Sequence, residues 1–81
     1  MTLRTPPKIA APIRDCLTRS GMRQADLAER IGERQNWVSK RLTGDVPFRL
    51  ADLERIAAAL GTSVVELQTA AEQSTPQHEV A

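Results

Sequence analysis

The chain has no tyrosine, one tryptophan and one phenylalanine in 81 residues, so its core must be built from aliphatic side chains and alanine. Such a core suits packed helices better than strands, which favour aromatic and β-branched residues. The single cysteine, Cys16, excludes an internal disulfide and argues against a secreted, bridge-stabilised fold. The single histidine, His78, lies far from it, and the two cannot make a structural zinc site, which needs four ligands at close spacing. No apolar run approaches the roughly 20 residues that cross a bilayer, and no signal-peptide core follows the start. No serine or cysteine has a base that could reach it, and no glycine-rich phosphate loop follows a strand. Catalysis, a metal, a cofactor and a small-molecule ligand are therefore not expected. One small domain in the cytoplasm is the simplest expectation.

An excess of either charge is also lacking overall, since the net charge is only +1. Its distribution says more. Residues 1–49 carry ten basic side chains against five acidic ones, whereas residues 50–81 carry Arg55 alone against five acids. A basic front and an acidic back fit a chain that meets a polyanion with one face; the competing reading is charge scatter in a short sequence.

Helical periodicity recurs five times. Residues 1–8, with Pro6 and Pro7 and no apolar repeat, read as a flexible arm. A first helix is predicted from about Ile9 to Ser20, with Ile9, Ile13, Cys16, Leu17 and Ser20 inward and Pro12 tolerated in the first turn. Gln24 opens a second, with Leu27, Ala28 and Ile31 on one side. A third carries Val38 and Leu42 inward, four apart. Leu50, Leu53, Ile56, Ala57 and Leu60 give a fourth, and Phe48 before it is expected to plug the core from the loop. Ser63 with Glu66 predicts a capping box that opens a fifth helix on Val64, Val65 and Leu67. Gly21, Gly32, Gly44 and Gly61 each fall just past a helical stretch, the usual stop position. From about residue 73 to residue 81 the tail is polar, holds Pro76, and is expected to be disordered. The expected fold class is all-α: a compact five-helix bundle over residues 9–72, without strands.

The stretch Gln24–Gly44, QADLAERIGERQNWVSKRLTG, carries the functional signal. Two short helices meet at Gly32, and the second has an outward stripe of Gln35, Asn36, Ser39, Lys40 and Thr43. That stripe holds two amides, two hydroxyls and an ammonium, with no carboxylate. Amides pair with adenine edges and an ammonium with guanine edges in the major groove, so the pattern points to sequence-specific binding of double-stranded DNA.

Residues 9–72 resemble the lambda-repressor-like, Cro/C1-type (XRE) helix-turn-helix domain. The resemblance rests on Gln24, Leu27-Ala28, Gly32, Val38-Ser39, Gly44, Leu53, Ile56-Ala57 and Leu60-Gly61. The arginine-heavy style and the run WVSKRLTG are similar to regulators of actinobacteria and their phages. The resemblance implies a transcriptional repressor or Cro-like phage switch protein that inserts its third helix into an operator. It implies base reading by Gln35, Asn36 and Lys40, with Ser39 as a fourth. Gln24 matches the amide that holds a phosphate and braces Gln35, and Thr43 matches a phosphate-contacting corner. The arginines at the helix-cap positions, Arg23 and Arg34, are further phosphate candidates, and Arg4 and Lys8 could follow the groove as a basic arm. A homodimer on a palindromic or pseudo-palindromic operator is expected, formed through this domain itself, in a bacterial or, for a phage gene, a host cytoplasm.

The chain departs from the family where Glu33 and Arg41 replace aliphatic residues, Trp37 replaces a small one, and Arg23 and Arg34 stand at caps usually held by Ser or Thr. These departures imply that the third helix is supported differently, with Trp37 covering the gap and the stem of Arg41 along it. Trp37 is otherwise either half-buried packing or a contact to sugar or a thymine methyl. Cys16 reads as a small core residue or a redox site. The function of a different class that stays open is an antitoxin-like protein-interaction module with secondary DNA binding.

Overall fold

The computed structural model describes residues 6–73. Five helices follow one another: α1 Ala10–Arg19, α2 Gln24–Ile31, α3 Gln35–Thr43, α4 Leu50–Leu60 and α5 Val64–Gln73. No strand occurs among the described residues. The residues 1–5 of the expected arm, with Arg4, and residues 74–81, with His78, lie outside the described part.

Before α1 the chain turns, with the Ala10 amide bonding the Pro7 carbonyl at 2.9 Å. Pro12 is buried in the first turn, where a missing N–H costs nothing because no helical acceptor exists there. Ala10, Ile13 and Leu17 form the buried face, and Cys16 is half-buried beside it. Ser20, expected inside, is exposed: the helix ends at Arg19, and Ser20 caps it with its amide on the Cys16 carbonyl.

The link from α2 to α3 turns on Gly32, whose φ of +76° lies in the left-handed region. There the Glu33 amide reaches back to the Ala28 carbonyl at 2.8 Å, which satisfies a carbonyl that the helix end would orphan. That closure lets α3 fold back against α2, the most extensive pairing of helices among the described residues. Leu27 and Ala28 from α2 and Val38 and Leu42 from α3 are all buried in one core with Ile13, Ile56 and Leu67.

Two expected core positions lie outside. Leu50 is 63 % exposed and Val65 is 70 % exposed. Leu50 is the first residue of α4, and Phe48 packs on the core from the preceding loop instead. Val65 is off the stripe that Val64, Leu67 and Ala71 form at i, i+3 and i+7. The capping box before α5 is half made. Ser63 Oγ accepts the Glu66 amide at 3.1 Å, but the Glu66 carboxylate accepts from the Thr62 hydroxyl rather than returning to the Ser63 amide. Among the described residues, no helix is long and apolar enough to cross a membrane.

Candidate nucleic-acid interface

With Val38 and Leu42 buried, the opposite side of α3 is fixed as the outer face. Gln35, Asn36 and Lys40 are exposed on it, and Ser39 and Thr43 are half-buried at its margins. At i, i+1, i+4, i+5 and i+8 these side chains share one stripe of a rigid helix. No acid of the first helical turn dilutes it. The sequence stripe thus stands on one face, with Ser39 and Thr43 more recessed than the other three.

The helix that carries the stripe begins without a side-chain cap. Its N-cap is Arg34, in extended conformation, and arginine has no acceptor to offer the first amides. At α2, whose N-cap is Arg23, an acid inside the helix does the work. Asp26 Oδ2 accepts the Arg23 amide at 2.9 Å, and the same carboxylate takes the guanidinium at 3.3 and 3.2 Å. The Arg23 guanidinium, and after it the Arg23 amide, hold the Asp26 carboxyl below the ordinary carboxylate range. At α4, Asp52 Oδ2 accepts the Arg49 amide at 3.0 Å in the same way. At α3 the third residue is Trp37, which offers no carboxylate to the Arg34 amide; the Trp37 amide bonds the Arg34 carbonyl at 2.9 Å, and the amides of Gln35 and Asn36 are left for an outside acceptor.

The other predicted contacts are placed unevenly. Gln24 is the first residue of α2 and half-buried; Arg34 is exposed. Arg34 and Lys40 form no ion pair among the described residues. Arg23 is already committed to Asp26, with its charge partly compensated. The Thr43 hydroxyl donates to the Lys40 carbonyl at 3.1 Å, so it must rotate before it can donate to a phosphate. Lys8 is exposed just before α1, on the rim of a groove with Pro47 and Phe48.

Two features were not visible as site residues in the sequence. Arg14 reaches from α1 to the Leu42 carbonyl at 3.5 Å, setting a cation at the C-terminal end of α3, where the helix dipole favours it. Only the tertiary packing of α1 on α3 makes that pairing. The second is the support under Trp37. The Arg41 guanidinium lies 3.9 Å from the centre of its ring and faces Asp52 on α4, and Arg55 pairs with Glu33 at 3.1 Å. The expected shift from aliphatic to aromatic and arginine support is present, and the acids that complete it come from α4 and the turn. Cys16 sits half-buried with Arg19 donating to its sulfur at 3.7 Å. Among the described residues no group of three or more His, Cys, Asp or Glu side chains could hold a metal.

Solved structures with the same fold include the clp gene regulator ClgR of Corynebacterium glutamicum. It is 24 % identical, with a TM-score of 0.77 over 84 % of this chain and 88 % of that one. A hypothetical transcription factor, NHTF, from Neisseria is 23 % identical, with a TM-score of 0.71 over 89 % of this chain and 99 % of that one. A part of the hydroxypropylphosphonic acid epoxidase of S. wedmorenis is 31 % identical, with a TM-score of 0.67 over 82 % of this chain but only 35 % of that one. At these levels the likeness concerns the fold. No curated protein matches the sequence. The sequence profile of a helix-turn-helix domain matches residues 9–70, the span of all five helices but for the last turn of α5. The resemblance read from Gln24 to Gly61 is thereby established in both sequence and fold, and the chain belongs to the helix-turn-helix domain family.

Proposed function

We propose that this protein is a transcription regulator that binds double-stranded DNA sequence-specifically, with α3 in the major groove of an operator. The observation that carries the reading is the outer face of α3: exposed Gln35, Asn36 and Lys40 beside an uncapped helix start, with no carboxylate among them. In this reading Gln35, Asn36, Ser39 and Lys40 read base edges. Gln24, Arg34 and Thr43 hold phosphates together with the open amides of α3. Arg23 contributes less, because Asp26 already neutralises it. Lys8, and Arg4 in the arm, follow the backbone beside the main site.

One recognition helix spans only a few base pairs, so the reading includes a homodimer on a palindromic or pseudo-palindromic operator, acting as a repressor or Cro-like switch in the cytoplasm. The exposed Leu50 and Val65 supply apolar surface for that contact. The same two residues also favour a second reading, an antitoxin-like module whose main partner is another protein.

Selection of bound duplexes from random DNA, followed by gel shifts at low and moderate salt, tests the proposal. It expects an inverted repeat with half-site centres about 10–10.5 base pairs apart and retention that falls steeply with salt. Failure to enrich any sequence, with no shift at low salt, refutes it in favour of the protein-interaction module.

A further inference from the structure

Asp52 is the one buried polar residue among those described, 8 % exposed. Its Oδ2 accepts the Arg49 amide and also stands 3.5 Å from Arg41 Nε, with the side chains of Arg41 and Asp52 15 % and 11 % exposed. Arg41 Nε is buried and makes no hydrogen bond. The rest of the guanidinium is held on α3 itself, over the Trp37 ring at 3.9 Å and through Nη1 to the Trp37 carbonyl at 3.1 Å. One turn further along α4, Arg55 stands 5.5 Å from the centre of the same ring. It bonds the Ile31 carbonyl and Glu33 on the turn before α3. The indole thus has two guanidiniums beside it, each tied to an acid.

As a source of stability this is a poor arrangement. Removing a guanidinium and a carboxylate from water is costly, and their attraction offsets that cost only when every polar atom is bonded. A plain aliphatic side chain at position 41, laid on the indole, would fill the space without that cost. What the charged pair does supply is direction. A flat guanidinium stacked on a ring and facing a fixed carboxylate has few orientations, whereas an aliphatic contact can slide. α3 packs chiefly on α2 and α1, and beside the core that Val38 and Leu42 share with Ile56 this cluster gives it a polar tie to α4. Trp37 is adjacent in the chain to Asn36 and two residues from Gln35, whose amides must meet base edges within hydrogen-bond tolerance.

We propose that Arg41, set between the Trp37 ring and the Asp52 carboxylate, is a positioning residue that fixes the orientation of α3 against α4. It thereby sets the base preference of Gln35 and Asn36 without itself touching DNA. The inference rests on α3 being the reading helix.

The test compares the parent with Arg41→Met/Asp52→Asn and with Asp52→Asn alone. An asparagine at 52 keeps an amide oxygen for the Arg49 N–H, so the start of α4 survives while the charge facing Arg41 is lost. Each protein is measured against the sequence the parent selects from random DNA and against its single-base variants. Melting temperature and salt dependence are measured alongside. The double variant should melt near the parent, whereas Asp52→Asn alone, which leaves the Arg41 guanidinium buried without its carboxylate, should melt lower; both should keep the parent's salt slope. Their discrimination at the base pairs read by Gln35 and Asn36 should fall by about tenfold, a value within the range for one bidentate pair. A merely structural role would lower affinity for all sequences alike, and that result overturns the proposal. If the double variant does not fold, the single variant decides by the same criterion. Gln35→Ala separates the positioning role of Arg41 from the reading role of α3. If it alters the ranking and the cluster variants do not, the positioning role is wrong while the reading stands. If neither alters it, or the parent selects no sequence, both are wrong.

Discussion

Ala28 offers the sharpest test of how α2 and α3 meet. It is 2 % exposed, on the buried face of α2, which packs chiefly on α3, and its carbonyl closes the turn by accepting the Glu33 amide. Leucine at this position adds three carbons where no free space is available, and helix propensity barely changes. Overpacking of this kind costs about 1–3 kcal/mol or more, because side chains leave their rotamers and the helices move apart. In a domain this small each kcal/mol shifts the midpoint by about 4–8 °C, so Ala28→Leu should melt roughly 4–24 °C below the parent. Ala58→Leu is the control: Ala58 is exposed on α4, and the same three carbons there should change stability by no more than about 0.5 kcal/mol. Thermal unfolding followed by circular dichroism reads both. Coincident melts of the two variants would show that Ala28 is not at a close helix crossing and would refute the packing of the helix-turn-helix.

Gly32→Ala should cost about 1–2 kcal/mol, because φ is +76° and a Cβ there would meet nothing within 4 Å, so the penalty is conformational alone. Gly32→Asn should cost less, as asparagine tolerates that region, and urea titration checks the order. The Asp26 carboxyl is held below its ordinary value of 3.8, so its contribution is fully present above that pH and is lost as pH falls through the depressed value. Asp26→Asn should therefore be less stable than the parent at neutral pH, and the difference should close as acid titration passes below the depressed value; a gap that stays constant contradicts the pairing with Arg23. Gln24→Ala should weaken binding to all duplexes about equally, seen as a parallel shift across operator variants in a gel-shift series.

The fold was legible because its determinants are local. Gly32, Gly44 and Gly61 stop helices wherever they stand, and the buried stripes of Leu27-Ala28, Val38-Leu42 and Leu53-Ile56-Ala57 follow helical spacing. Where the reading of the core missed, the missing information was tertiary. Leu50 satisfies the α4 stripe, but it lies at the helix end, and Phe48 makes the core contact from the loop. Glu66 has the spacing of a capping box, yet Thr62 competes for its carboxylate from one residue earlier than Ser63. The outer stripe of α3 could be read from i, i+4 spacing because Val38 and Leu42 fix the inner face. Its support could be read only in part. Trp37 and Arg41 share a helix and are four apart, but Asp52 is eleven residues beyond Arg41 and meets it only after α4 packs. Arg14 likewise finds the end of α3 across 28 residues of sequence.

In the proposed function the outer face of α3 reads bases while its surroundings hold phosphates. Binding of Gln35→Ala and Lys40→Ala to the selected operator and its single-base variants tests it most directly. Gln35 offers a donor and an acceptor, matching adenine N6 and N7, and Lys40 offers donors only, matching guanine O6 and N7. Each loss should cost about 1–3 kcal/mol on the selected operator and relax preference at one position per half-site. Where the ammonium also lies near a phosphate, Lys40→Ala should flatten the salt slope by about 0.9. If both variants bind more weakly but keep the parent's ranking of the single-base operators, α3 is not the reading helix and the assignment of its face is wrong.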